Sequence, residues 1–141
     1  MKKTLFAVLL LSIGSITGYA QCARQVILTS SKTEYLDSNG ALQKTEEEKS
    51  VVEINKSEII ITPGNEDHKM TGIIKSDTCN WKTPFKEGKT VIKATLSRDG
   101  NTMNATITIE GKDGKITLLF EVEERPDRKI RIVADKFEEK K

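Results

Sequence analysis

Apolar and polar residues alternate with a period of two over most of the chain from Gln25 onward. The clearest run extends from Met103 to Glu110, where apolar and polar residues take turns without interruption. Successive side chains of a β-strand point to opposite faces of a sheet, so this pattern indicates strands with one buried face and one face in water. A chain with this periodicity is expected to fold as an antiparallel sheet.

Turn signals divide the alternating runs at short intervals. Asp99-Gly100 and Asp113-Gly114 predict type I′ hairpin turns, in which both central residues have positive φ. Because consecutive strands would be joined by short links, an up-and-down meander is favoured over a Greek key. We therefore predict an all-β fold of eight to nine antiparallel strands, closed or partly closed into a barrel. The predicted strands span residues 24–36, 41–48, 50–55, 57–62, 69–76, 89–98, 102–111, 115–124 and 128–137.

Two segments do not fit the alternation. Ala41–Ser50 is almost entirely polar and contains good helix formers, so a solvated edge strand and a short helix both remain open. Thr78–Gly88 contains a proline and two aromatic residues. This second segment is expected to form an irregular crossing between the two halves of the meander.

The N-terminal residues have the features of a secretory signal peptide. A basic start precedes an apolar stretch from Leu5 to Ile16, and Gly18-Tyr19-Ala20 carries small residues at the positions that a signal peptidase reads. The apolar stretch is too short for a bilayer-spanning helix, which needs roughly twenty residues. We expect residues 1–20 to be cleaved and residues 21–141 to form a single secreted or periplasmic domain. A lipid anchor through Cys22 is the alternative.

The charge balance argues against a nucleic-acid partner. The full chain has 23 basic and 21 acidic residues, and cleavage after Ala20 would remove two lysines and no acidic residue. Strong attraction to nucleic acid or to an anionic membrane requires a basic excess or patch. The nearly neutral domain that remains is therefore not expected to bind nucleic acid.

The chain has two cysteines, Cys22 and Cys79, so one intramolecular pairing is available. A small domain with a thin apolar core in an oxidising compartment commonly gains stability from a disulfide. The chain-entropy estimate for a loop of this length is about 4 kcal/mol. We predict a Cys22–Cys79 disulfide, with free thiols or intermolecular bridges as the alternatives.

Residues that commonly carry catalysis or bind metals are sparse. His68 is the single histidine and is interpreted as an exposed residue of a polar turn region. One histidine and two paired cysteines do not supply a usual zinc ligand set. Neighbouring carboxylates on a strand point to opposite faces, whereas a glycosidase needs two carboxyl groups across a cleft. We therefore expect no metal, no cofactor and no enzymatic activity.

Trp81 is the single tryptophan, and it lies close to Cys79 and Phe85 in a chain with few aromatic residues. Two interpretations of this cluster remain open. The three side chains could plug one end of the barrel beside the disulfide. Alternatively, Trp81 and Phe85 could line the mouth of an apolar pocket, as in small barrels that hold one ligand.

The chain resembles small secreted, lipocalin-like proteins of the Bacteroidota in three features. These are the end of the signal peptide at Ala20-Gln21, the cysteine pair, and the segments Thr78–Lys82 and Lys86–Thr90. The resemblance implies a lipocalin-like barrel over most of the chain after the signal peptide. The lipocalin G-x-W signature near the first strand is absent, because the tryptophan lies in mid-chain. No binding residues are therefore assigned from the family.

These observations favour a non-enzymatic, monomeric β-barrel that binds a small apolar ligand or an envelope partner, with Trp81 and Phe85 as contact residues. Pocket binding requires a cavity, and it fails if the inward-facing residues fill the barrel completely. The alternative is a disulfide-tied inhibitor or protein-interaction module that acts through a projecting loop at Thr78–Gly88. The inward-facing residues are Ile92, Leu96, Ile107, Ile109, Leu118 and Phe120.

Overall fold

A computed structural model of the protein describes residues 22, 25–64 and 68–140. The signal peptide predicted at residues 1–20 lies outside the described residues. No helix in the described part of the chain is long and apolar enough to cross a membrane. The strands are β1 (Val26–Asp37), β2 (Leu42–Ile54), β3 (Glu58–Pro63), β4 (Met70–Thr83), β5 (Glu87–Arg98), β6 (Asn101–Lys112), β7 (Lys115–Val122), β8 (Arg128–Val133) and β9 (Lys136–Glu139).

The strands form one antiparallel sheet that closes into a barrel. Each strand from β1 to β7 pairs with the next one along the chain, and β8 pairs back with β1. Strands β1–β8 therefore form a closed up-and-down barrel, and β9 adds to the N-terminal half of β1. The predicted all-β meander of eight to nine strands is confirmed.

The two ends of the barrel can be named from the long β4–β5 hairpin. Its register runs from Thr71 opposite Ser97, through Trp81 opposite Gly88, to Thr83 opposite Glu87. We call the end that contains Trp81 the disulfide end, because Cys22 and Cys79 are bonded there. The opposite end, where β5 finishes and the chain turns into β6, is the pocket end.

The two Asp-Gly hairpin turns form as the sequence predicts. Asp99 and Gly100 have φ values of 52° and 80°, and Asp113 and Gly114 have values of 54° and 77°. These positive angles at both central residues are those of a type I′ turn. The turns set the register of β5 with β6 and of β6 with β7.

The polar segment Ala41–Ser50 is extended and belongs to β2 from Leu42 onward, which decides between the strand and the short helix. The predicted runs 41–48 and 50–55 are one strand that pairs with β1 through two irregularities. Since β3 ends at Pro63 opposite Ser50, the preceding part of β2 is an exposed edge. Charged side chains on such an edge discourage pairing with another sheet.

The prediction of an irregular crossing at Thr78–Gly88 is wrong. Strand β4 continues to Thr83 and pairs with β5 along this segment, so residues 84–86 alone connect the two strands. A register shift halfway along β4 changes which residues point inward. Because of this shift, the alternation in the sequence does not show that Cys79 and Trp81 point inward. Because β4 and β5 are paired along the segment, no long loop projects from it.

Strands β8 and β9 are two parts of one interrupted strand, where the sequence predicts a single run at 128–137. Both parts pair with β1 in the same register. At the break, the buried Ser30 Oγ lies 2.8 Å from the carbonyl oxygens of Lys32 and Val133. The serine hydroxyl has one proton and thus donates to one of these two carbonyl groups at a time, where regular strand pairing stops.

Apolar side chains fill the middle of the barrel. Leu28 of β1 and Ile59 of β3 are fully buried there. Each of the inward positions predicted from the alternation is also buried, which confirms the two-residue period as the organising pattern of the core. These positions are Ile92, Leu96, Ile107, Ile109, Leu118 and Phe120.

Candidate functional site at the pocket end of the barrel

A pocket of about 750 Å³ opens to solvent at the pocket end. This volume lies within the range of about 300–1,000 Å³ that is typical of small-molecule sites. The walls come mainly from β1, β2, β3, β7 and β8, and the start of β4 and the end of β5 complete the rim. The inward-facing residues therefore do not fill the whole barrel, and the cavity that ligand binding requires is present.

The floor of the pocket is apolar. Its buried side chains come from strands on both sides of β1, so they enclose the space from two directions. They are Val52, Ile61, Leu118, Phe120 and Ile132.

The space exists because β1 and β2 place small side chains at inward positions. Thr33 and Ser50 are buried and line the pocket. Deeper in the barrel, the inward position on β1 is the larger Leu28. Because the inward side chains of β1 and β2 are small at the pocket end, they leave a volume that the neighbouring strands do not fill.

Thr33 adds a buried polar atom to the wall. Thr33 is 3% exposed, and its Oγ1 has no hydrogen-bond partner among the described residues. An unpaired buried hydroxyl costs about 1–3 kcal/mol. Rotation about χ1 between staggered positions would exchange the methyl group and the hydroxyl of Thr33. A bound molecule with a hydrogen-bonding group would then remove this cost.

Tyr35 and Glu48 form one side of the mouth. The Tyr35 hydroxyl donates a hydrogen bond of 3.2 Å to Glu48 Oε1. Burial, followed by the negative charges of Glu48 and Glu46, raises the pKa of Tyr35 to about 12. The phenol therefore stays protonated at neutral pH and holds the Glu48 carboxylate.

Arg98 and His68 form the other side of the mouth. In the eight-stranded ring β5 lies opposite β1, so Arg98 and Tyr35 lie on opposite sides. Arg98 Nη2 donates to His68 Nδ1 at 2.9 Å, and Arg98 Nε lies 3.7 Å from Asp99 Oδ2. The acceptor role of Nδ1 places the proton of a neutral His68 ring on Nε2.

His68 is exposed, as the sequence predicts. The sequence predicts an ordinary loop residue, whereas the structure places His68 in the lining of the pocket and in a hydrogen bond with Arg98. The two residues are thirty positions apart, and the pairing of β4 with β5 brings them together. Local sequence around His68 therefore carries no signal for this contact.

The candidate contact residues Trp81 and Phe85 lie at the disulfide end, and neither lines the large pocket. Trp81 is 6% exposed, and its Nε1 donates a hydrogen bond of 2.7 Å to Thr90 Oγ1. The ring of Phe137 lies 5.7 Å from that of Trp81 and 5.0 Å from that of Phe85. This packing corresponds to the interpretation in which the cluster plugs one end of the barrel.

Two glycines make room for the indole of Trp81. Gly88 and Gly111 face each other on β5 and β6. A Cβ on Gly88 would lie 2.4 Å from Trp81 Cα, and one on Gly111 would lie 2.8 Å from Trp81 Cζ3. Glycine inside a strand commonly marks such a close approach, so Gly88 and Gly111 are the sequence signal for a bulky side chain at this end.

The predicted disulfide between Cys22 and Cys79 is present. It borders a second, smaller pocket of about 260 Å³, which Phe137 also lines. Thr90 Oγ1 lies 3.4 Å from Cys79 Sγ and donates a weak hydrogen bond to it. The disulfide, Thr90 and Trp81 thus form one connected cluster at this end.

The sequence alone does not indicate that Thr33, Tyr35 and Arg98 belong to one site. They become neighbours through the closure of the barrel, because β1 and β5 lie far apart in the chain. The one local signal is the polar stretch Thr29–Thr33, which interrupts the apolar alternation of β1. Small polar residues at inward positions mark a level at which the barrel is not filled.

No group of three or more histidine, cysteine or acidic side chains that could hold a metal ion is present among the described residues. The polar side chains that line the large pocket carry hydroxyl, carboxylate, ammonium, imidazole and guanidinium groups. They can hydrogen-bond to a ligand and orient it. No protein-family model matches the chain, and no curated protein is significantly similar to it.

Proposed function

We propose that the protein is a non-enzymatic binding protein that holds one small apolar ligand per chain in the large pocket. The observation that carries this proposal is the pocket of about 750 Å³ with its buried apolar floor. Burial of apolar surface contributes roughly 25 cal/mol per Å². A ligand whose apolar body covers this floor would gain most of its affinity from that contact.

The polar groups of the rim support binding rather than a reaction. Small-molecule sites combine an apolar lining with a few polar groups that fix the orientation of the ligand. Tyr35, Glu48 and Arg98 have this distribution at the mouth. The closed up-and-down barrel also supports the proposed relationship to lipocalin-like proteins, in which such a barrel holds a ligand at one open end.

A secreted or periplasmic location belongs to the same proposal. The disulfide between Cys22 and Cys79 suits an oxidising compartment. The signal-peptide features of residues 1–20 point the same way. A monomer that carries apolar molecules through an aqueous compartment would use the pocket to shield them from water.

The proposal can be tested with the uncharged fluorescent probe N-phenyl-1-naphthylamine. We expect saturable binding of one probe per chain. Ile130→Trp would place an indole among the residues that line the pocket and would abolish this binding. The matched control is Ile73→Trp, because Ile73 is 63% exposed on the outside of the barrel.

Retention of probe binding in Ile130→Trp at the wild-type affinity would contradict the proposal. Loss of binding in both variants would point to a general effect of the added tryptophan, and circular dichroism would establish whether each variant remains folded. Absence of saturable binding in the wild-type protein would also count against an apolar ligand.

A further inference from the structure

We propose that the ligand is an anionic amphiphile whose acidic head group binds Arg98 at the mouth while its apolar tail covers the floor. This inference rests on the proposed function, because it names the chemical class of molecule that the same pocket would take. Three observations carry it. They are the position of Arg98, the N–H groups that Arg98 retains for a ligand, and the distribution of charge around the mouth.

Arg98 is held at the mouth instead of extending freely into water. Its side chain is 38% exposed, and it lines the pocket as the last residue of β5. The hydrogen bond to His68 and the nearby Asp99 carboxylate restrain the guanidinium group. A restrained cation loses less conformational entropy when it binds a ligand.

The guanidinium group retains donors for a ligand. Arginine has five N–H donors in a planar arrangement, and within the described residues Arg98 uses Nη2 to reach His68. Asp99 Oδ2, at 3.7 Å from Nε, lies beyond hydrogen-bond distance. A carboxylate or another planar acid group could therefore accept two parallel hydrogen bonds from Arg98.

The charges on the two sides of the mouth are not equivalent. On the β1–β2 side, the Glu48 carboxylate already accepts a hydrogen bond from Tyr35 and repels an anion, and the neighbouring lining residue Lys49 is exposed to water. On the β5 side, Arg98 offers a positive charge beside the exposed Asp99 carboxylate, and its other partner is the His68 ring. An acidic head group is therefore favoured at Arg98 and disfavoured at Glu48.

The floor supplies the complementary part of the site. Below the rim, the pocket is lined by apolar side chains such as Ile61, Leu118 and Phe120. A molecule that is charged throughout would lose its hydration there without compensation. A molecule with one charged end avoids this cost, because the charge stays at the mouth and the tail occupies the apolar space.

The test compares dodecanoate with 1-dodecanol, which have the same tail and different head groups. Affinities are measured by displacement of N-phenyl-1-naphthylamine from the folded protein. We expect dodecanoate to bind about tenfold or more tightly than dodecanol, since a hydrogen bond between two charged groups is roughly twice as strong as one between neutral groups. Arg98→Gln should remove this preference and leave the affinity for dodecanol unchanged.

Arg128→Gln is the matched control, because Arg128 begins β8 at the same end of the barrel and does not line the pocket. This variant should keep the preference for the acid. Equal affinities for the acid and the alcohol in the wild-type protein would overturn the anionic head group while leaving apolar binding intact. Equal loss of the preference in both arginine variants would assign it to general surface charge and would also overturn the role of Arg98.

Failure of both dodecyl compounds to displace a probe that does bind would overturn the amphiphile class. Failure of the probe itself would instead count against the proposed function. The two proposals therefore fail through different results.

Discussion

Arg98 Nη2 donates a hydrogen bond of 2.9 Å to Nδ1 of His68 at the rim of the pocket. The bond connects the last residue of β5 to the segment just before β4. It restrains the one arginine that lines the pocket. The orientation of this guanidinium group thus depends on a residue that does not need to touch the ligand.

The first prediction concerns His68 as a positioning residue. His68→Ala should reduce the preference for dodecanoate over dodecanol severalfold, because Arg98 would lose its restraint. His68→Gln should restore part of the preference, since its side-chain oxygen can accept the same hydrogen bond. Displacement titrations measure the ratio of the two affinities. An unchanged ratio in His68→Ala would show that Arg98 does not need this partner.

The second prediction follows from the raised pKa of Tyr35. The folded state raises the pKa from 10.0 to about 12, so folding favours the protonated phenol. The stability that depends on this proton is complete below pH 10 and is lost as the pH rises from about 10 through about 12. The stability advantage over Tyr35→Phe should therefore shrink across this range.

Urea denaturation of the two proteins at several pH values measures that difference. A direct check is available, because Tyr35 is the single tyrosine of residues 21–141. The absorbance of its phenolate should appear near pH 12 in the folded protein and near pH 10 in urea. A folded-state transition near pH 10 would contradict the burial of this hydroxyl.

The third prediction concerns the break between β8 and β9. Ser30→Ala should lower the free energy of unfolding by about 1–3 kcal/mol, because the carbonyl groups of Lys32 and Val133 would lose a buried donor. Ser97→Ala, on the exposed face of β5, should change it by about 0.5 kcal/mol or less. Denaturation curves of the two variants would disagree with this account if their midpoints shifted equally.

The fourth prediction concerns the plug at the disulfide end. Gly111→Ala should destabilise the fold by about 1–3 kcal/mol and shift the emission of Trp81, since the new Cβ would lie 2.8 Å from its ring. Gly114→Ala is the control, because beyond its chain neighbours no described atom would lie within 4 Å of the new Cβ and its φ is +77°. It should cost about 1 kcal/mol through backbone strain while the emission stays unchanged. An unchanged emission spectrum in Gly111→Ala would contradict the close packing of the indole.

The sequence predicted the strands whose environment is regular. The run from Met103 to Glu110 and the Asp-Gly turns on either side of β6 are local patterns, and local geometry decides them. The disulfide also followed from simple counting of Cys22 and Cys79. These features require no knowledge of which strands are neighbours.

The remaining features depend on irregular positions or on closure of the barrel. The register shift in β4 hid the strand character of Thr78–Trp81. The last predicted strand is divided into β8 and β9 where Ser30 of β1 bonds to the carbonyl group of Val133. The pocket itself required β1 and β5 to lie on opposite sides of a ring, which the identities of Tyr35 and Arg98 do not reveal.

The central claim is that an apolar ligand occupies the pocket end and not the smaller pocket at the disulfide end. The most direct test follows the isoleucine methyl signals by nuclear magnetic resonance during titration with N-phenyl-1-naphthylamine. We expect saturable shifts at Ile61, Ile130 and Ile132, which line the large pocket. Saturable shifts centred instead on Ile54 and Ile74 of the smaller pocket, or no saturable shift at any of these residues, would contradict the account.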